Sequence, residues 1–223
     1  GAIFSQTDRK SKAIKANKKA LQLAPEDHQT HNNLGITLQE LSRFNEAEES
    51  FRKSILLKND FFEAHNNLGV TLKELGRFNE AVASFKQSIL FNNEFAGARN
   101  NLGNMLKKLG RFDEAEESFR KSLLINSNNA NTHNNLGNLL KDKGNLLEAI
   151  NCFKHAIRIQ PNFAEAWNNI FFPLQAIKTQ ASSIEKYTSS LIEKVPNKNA
   201  KIYESILSYR LNIGSSSINN YLD

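Results

Sequence analysis

The string His31-Asn32-Asn33-Leu34-Gly35 returns 34 residues later as His65-Asn66-Asn67-Leu68-Gly69. Arg99-Asn100-Asn101-Leu102-Gly103 and His133-Asn134-Asn135-Leu136-Gly137 follow at the same spacing, and Trp167-Asn168-Asn169-Ile170-Phe171 is a decayed fifth copy. Other columns keep the register: Ala47, Ala81, Ala115 and Ala149; Phe51, Phe85, Phe119 and Phe153; and Pro25 and Pro161 near repeat ends. A fixed period of about 20 to 50 residues restricts a chain to stacked copies of one supersecondary unit, because a single copy cannot bury its own apolar surface.

These residues place the chain close to a known pattern. It resembles the tetratricopeptide repeat (TPR) family, whose repeat reads Trp-x₂-Leu-Gly-x₂-Tyr, then Ala-x₃-Phe, then Pro. The resemblance spans about residues 8–172 and implies an all-α, right-handed α-solenoid of stacked antiparallel helix pairs with C-terminal capping helices. Four full repeats are expected at 28–61, 62–95, 96–129 and 130–163, after a partial repeat over 1–27 in which Ala13, Ala20 and Pro25 fall in register. A degenerate fifth repeat and capping helices are expected over 164–213, then an exit linker over 214–223. The chain departs from the pattern by placing His or Arg at the Trp slot, Leu at the Tyr slot and Asn or Ser at most Pro slots.

The physics of one repeat gives the same hairpin. Leu68, Gly69, Leu72 and Leu75 form one stripe at helical spacing. Gly69 costs about 1 kcal/mol of helix propensity relative to Ala, so a close approach by a neighbouring helix must compensate. Gly76 is expected to end the first helix, and Asn45, Asn79 and Asp113 to cap the second, with Glu48 and Glu116 completing capping boxes. Phe85-type residues are expected to pack against adjacent repeats, and the columns at Phe44, Phe78 and Phe112 to be core as well.

Composition excludes several classes. Apolar residues make up 39% and charged residues 23%, with four prolines and ten glycines, as in ordinary folded proteins. No stretch reaches the roughly 18 to 20 apolar residues that cross a bilayer, and Gly1–Lys10 lacks a signal-peptide layout. The chain is therefore expected to be soluble, without membrane partners. Because the sequence opens on Gly1 rather than Met, flanking residues outside this segment are an expectation. The formal charge is +6, with basic residues through the chain interleaved with Glu, which disfavours a nucleic-acid partner. A single cysteine, Cys152, and the lack of any Asn-x-Ser/Thr acceptor fit a reducing, cytoplasmic setting.

No arrangement for catalysis, metal or cofactor stands out. His31, His65 and His133 align, but neighbouring helices pack about 8–10 Å apart and metal ligands must lie within about 2.1 Å of one ion. They are read as packing residues. Cys152 has no base in register, and no Gly-rich phosphate loop or Ser-His-Asp set is present. No cofactor is expected.

The residues that stacking does not obviously require are the asparagines. The fifth position of every first helix is Asn32, Asn66, Asn100, Asn134 or Asn168; the sixth is Asn33, Asn67, Asn101, Asn135 or Asn169. Asn is about 0.6 kcal/mol worse than Ala inside a helix, so two unbroken columns need a reason. One reading lines a concave groove with carboxamides that hold an extended peptide backbone. By resemblance, the sixth-position column is similar to the asparagine ladder in the TPR superhelix of O-linked N-acetylglucosamine transferases, which implies binding roles for Asn33, Asn67, Asn101 and Asn135. A second reading bonds the sixth-position Asn to the neighbouring repeat, and a third invokes a general Asn bias. The ninth position adds Asn104 and Asn138, and Lys73, Lys107 and Lys141, joined by Lys108, form a rim able to attract acidic groups. The TPR clamp for chaperone tails needs Lys where this chain has Asn at the fifth position, and is rejected.

After Trp167 the pattern breaks: Phe171 stands in the Gly slot and Pro173 inside the helix, so the array is expected to end there. Ile177, Ile184, Leu191 and Val195 suggest one capping helix, Ile202–Ile213 another. The expected function is a non-catalytic protein- or peptide-binding scaffold. The alternatives are the recognition arm of a larger sulfotransferase, glycosyltransferase or methyltransferase, and a self-assembly module forming homo-oligomers.

Overall fold

The computed structural model describes residues 2–176, and the helices proposed between Ile177 and Ile213 lie outside them. Among the described residues there are ten helices and no strand: α1 Ala2–Leu23, α2 His28–Glu40, α3 Phe44–Leu57, α4 Phe62–Glu74, α5 Phe78–Phe91, α6 Ala96–Lys108, α7 Phe112–Ile125, α8 Ala130–Asp142, α9 Leu146–Ile159 and α10 Ala164–Ala176. None is long and apolar enough to cross a membrane. The chain divides into two compact units, residues 1–125 and the residues from Asn126 on.

In the first unit α2 packs on α3, α4 on α5 and α6 on α7, while α1 packs on α2, α3 on α4 and α5 on α6, and α4 touches both α2 and α6. In the second unit α9 lies between α8 and α10. Phe51, Phe85, Phe119 and Phe153 are fully buried, and each ring lies on the glycine of its own repeat. A Cβ at Gly35, Gly69, Gly103 or Gly137 would stand 2.6 Å from the facing ring carbon. These rings thus close the hairpin from inside. The Phe44 column is not core: Phe44 and Phe78 are half-buried and Phe112 is 40% exposed, with the Lys108 ammonium 4.1 Å from the centre of the Phe78 ring.

Gly76 ends its helix as expected, at φ 76°, with Gly110 and Gly144 in the same backbone region. The first repeat carries Ser42 there, at φ 58°. The second helices start earlier than the Asn and Asp residues expected to cap them. Arg43 and Arg77 are the N-caps of α3 and α5 and make no side-chain capping bond, while Asn45, Asn79 and Asp113 lie inside the first turn. That turn is held instead by ion pairs three residues apart. Arg43 binds Glu46 through two bonds of 2.6 Å, and Arg77–Glu80 and Arg111–Glu114 repeat the arrangement. The guanidiniums hold all three carboxyls below the ordinary glutamate range. Glu48 bonds Arg52 of its own helix and Arg77 of the next repeat, and Glu116 bonds Arg120, so neither forms a capping box.

Serines tie the two helices of a hairpin together. Ser54, Ser88 and Ser122 are fully buried, and each donates a 2.8 Å bond to the first residue of its own first helix, at the carbonyls of His28, Phe62 and Ala96. Pro173 does not stop α10, which runs on to Ala176.

Candidate functional site

The Trp slot has a common chemistry that residue identity conceals. His31 Nε2 bonds the Pro25 carbonyl at 2.9 Å, His65 the Asn59 carbonyl at 2.8 Å and His133 the Ser127 carbonyl at 3.0 Å. Arg99 donates to Asn93 O at 2.9 and 3.1 Å, and Trp167 Nε1 donates to Pro161 O at 2.8 Å. Imidazole, guanidinium and indole each bring an N–H to the carbonyl six residues back, closing the loop before each first helix. His133 also stacks on His155 with ring centres 5.2 Å apart. Burial pushes its pKa down, assisted by His155 and opposed by the Ser127 bond.

The two Asn columns meet across repeats. In the first unit Asn67 Nδ2 donates to Asn32 Oδ1 at 3.1 Å, and Asn101 Nδ2 to Asn66 Oδ1 at 3.0 Å. In the second unit Asn169 Nδ2 donates to Asn134 Oδ1 at 3.0 Å, while Asn134 donates to Glu165 at 3.0 Å. The sixth position of one repeat therefore bonds the fifth position of the repeat before it. Asn32 and Asn134 are only 3% and 1% exposed, so these fifth-position groups serve the joint between repeats. Satisfying a buried carboxamide in this way avoids the desolvation penalty of an orphaned acceptor.

The sixth-position groups lie further out. Asn33 is exposed and accepts from Gln29 at 3.4 Å; Asn67, Asn101 and Asn135 are half-buried. Asn66, Asn100, Asn104 and Asn138 are half-buried as well. Each paired sixth-position carboxamide spends one N–H on the joint and keeps a second N–H and at least one oxygen lone pair. Asn66 Nδ2 lies 3.5 Å from Asn67 Oδ1, at the limit of a hydrogen bond. Gln39 to Thr71, at 3.3 Å, is a further link between first helices.

The lysine rim is partly engaged. Lys73 pairs with Glu74 at 2.6 Å and Lys141 donates to Asn138 at 3.3 Å; Lys107, like Lys73 and Lys141, is half-buried. Among the described residues no three His, Cys, Asp or Glu gather as metal ligands, and Cys152 is a buried thiol outside any disulfide.

Family models described as tetratricopeptide repeat match residues 28–61 and 62–95, and a further one matches 94–162. The chain belongs to the tetratricopeptide repeat family. Solved TPR structures share the fold. The structure named "Crystal structure of MamA" is 27% identical with a TM-score of 0.65, covering 72% of this chain and 94% of that one. That of pilF from Pseudomonas aeruginosa is 20% identical with a TM-score of 0.72, covering 93% of each chain. YrrB, named as "a TPR protein with an unusual peptide-binding site", is 19% identical with a TM-score of 0.67, covering 89% of this chain and 99% of that one. No curated protein matches.

Proposed function

We propose that this TPR chain is a non-catalytic scaffold that holds an extended peptide along the first helices of the repeats in its first unit, over 28–125. The observation that carries the reading is the common setting of the sixth-position asparagines. Asn67 and Asn101 are pinned through one N–H to the preceding repeat, which leaves each oxygen and second N–H able to meet a peptide backbone at little entropic cost. A ligand read through backbone groups needs no fixed sequence. Asn33, Asn135, Asn104 and Asn138 extend the polar surface within their own units, and Lys73, Lys107 and Lys141 favour acidic side chains. The similarity to the asparagine ladder of O-linked N-acetylglucosamine transferases and the peptide-binding site named for YrrB support the same role.

The test is selection of a random peptide library on the wild-type chain, followed by affinity measurement with Asn33→Ala and Asn67→Ala. Asn33 is exposed and outside the described inter-repeat bonds, so its replacement removes a ligand contact while sparing the stack. Weaker binding by Asn33→Ala at unchanged helicity is the expected result. Unchanged affinity in both variants would leave the asparagines as repeat-to-repeat joints only and sink the groove reading.

A further inference from the structure

Most of this chain's net charge sits on one helix. From Arg9 to Lys19 the sequence holds Arg9, Lys10, Lys12, Lys15, Lys18 and Lys19 and no acid; Asp8 is the sole acid of α1. Six cations and one acid give α1 a net +5 of the chain's formal +6. The even interleaving of Lys and Glu read from the sequence holds for the repeats and fails here.

Burial fixes which way the charges point. Ile14 is buried, and Lys10, Ala13, Asn17 and Leu21 are half-buried along the same side, which packs on α2. Lys10 is used by the fold, pairing with Glu40 at 3.1 Å, and Lys18 helps to lower the pKa of Glu46. Arg9, Lys12, Lys15, Lys18 and Lys19 are exposed. Lys12, Lys15 and Lys19 follow at intervals of three and four residues, so they form one strip with axial steps of about 4.5 and 6 Å. Like charges at these intervals repel one another within a helix, and a bound polyanion removes that repulsion.

We propose that the exposed face of α1 docks an acidic segment of a partner protein. Acids on alternate residues of an extended chain recur at about 6.6–6.8 Å, close to the longer step of the strip, and acids on a partner helix reproduce both steps. A lipid surface fits less well, because the only large apolar residue between Arg9 and Lys19 is Ile14, which is buried and has no access to acyl chains. A nucleic acid would be held by charge alone, since the same segment offers no aromatic ring for stacking. The strip lies on α1, whereas the asparagine columns lie on the first helices of the repeats.

The test is fluorescence anisotropy of a labelled peptide of alternating Glu and Ser against the whole chain, beside a labelled DNA duplex and phosphatidylserine vesicles. The wild-type chain should bind the peptide more tightly than the duplex or the vesicles, and should lose about tenfold in affinity as salt rises from about 50 to 200 mM, through screening. K12Q/K15Q/K19Q should weaken peptide binding and K12E/K15E/K19E should weaken it further, with helicity checked by circular dichroism. The Gln set keeps the test valid if charge reversal unfolds α1. Equal peptide binding by wild type and the Gln set would overturn the proposal, as would tighter binding of the duplex or the vesicles than of the peptide.

Discussion

At Gly69 two effects of similar size oppose each other, so the sign of a Gly69→Ala change reports which dominates. Alanine gains about 0.8–1.0 kcal/mol of helix propensity over glycine. Its Cβ, however, would stand 2.6 Å from Phe85 Cε1, 2.8 Å from Cδ1 and 2.9 Å from Cζ. Carbon atoms rest about 3.5–4.0 Å apart, so ring and helix must separate by about 1 Å. Phe85 is 1% exposed, so its ring cannot swing out without leaving the core. Overpacking of this kind costs about 1–3 kcal/mol, which outweighs the propensity gain and leaves a net loss of about 1 kcal/mol. In a Phe85→Leu background the ring is gone, and the same Gly69→Ala change should stabilise by nearly the full propensity term. The assay is equilibrium urea unfolding followed by circular dichroism for wild type, both single variants and the double variant. Stacked repeats unfold as a sum of local and interface contributions, so the four curves are fitted together. A rise in midpoint from Gly69→Ala of the same size in both backgrounds would show that the glycine is not needed for close approach.

Other positions carry independent tests. Gly76→Ala should cost about 1–2 kcal/mol through its left-handed backbone, without rescue by Phe85→Leu, because nothing lies within 4 Å of the added Cβ. Ser42→Gly should gain about 0.5–1 kcal/mol by relieving the same conformation, read as a higher urea midpoint. Ser88→Ala should cost about 1 kcal/mol for its bond to the Phe62 carbonyl, with no collapse of the hairpin, since Ala156 occupies the same column in the fourth repeat. His133 has a folded pKa below 6.5, so the unfolded chain takes up its proton first as pH falls. The stability contributed by neutral His133 is therefore present above that value and lost on acidification through it, and His133→Gln should flatten the urea midpoint against pH across that window.

The repeat made the hairpins, the Phe-on-Gly contact and the glycine turns legible, because each depends on residue size or backbone freedom recurring at one position. Partnerships were harder to read. The serines at 54, 88 and 122 are small polar residues among many until the structure puts a carbonyl 2.8 Å from each. At the Trp slot identity varies while chemistry does not: His, Arg and Trp are alike as N–H donors to the carbonyl six residues back. The missed caps have a similar origin. Asn and Asp three residues past Gly76-type turns suggest capping, but Arg at the true N-cap reaches a glutamate three residues on, and that ion pair occupies the first turn. The basic helix α1 is legible only when charge is counted helix by helix, since the total of +6 conceals that +5 of it lies there.

The asparagine columns show how a structural role narrows a functional one. Sequence presents ten equivalent carboxamides. The bonds between Asn67 and Asn32, Asn101 and Asn66, and Asn169 and Asn134 divide them into acceptors committed to the joint and donors with half their capacity left. Replacing a sixth-position residue therefore does two things: it removes a ligand contact and it orphans a fifth-position oxygen, at a cost of about 1–3 kcal/mol where that oxygen is buried. Helix propensity returns about 0.6 kcal/mol, too little to offset it. Asn67→Ala should then lower stability as well as binding, whereas Asn33→Ala should lower binding alone. Affinity plotted against stability for these variants separates ligand contact from stacking, because only a ligand contact can displace Asn33→Ala from the line the joint variants define.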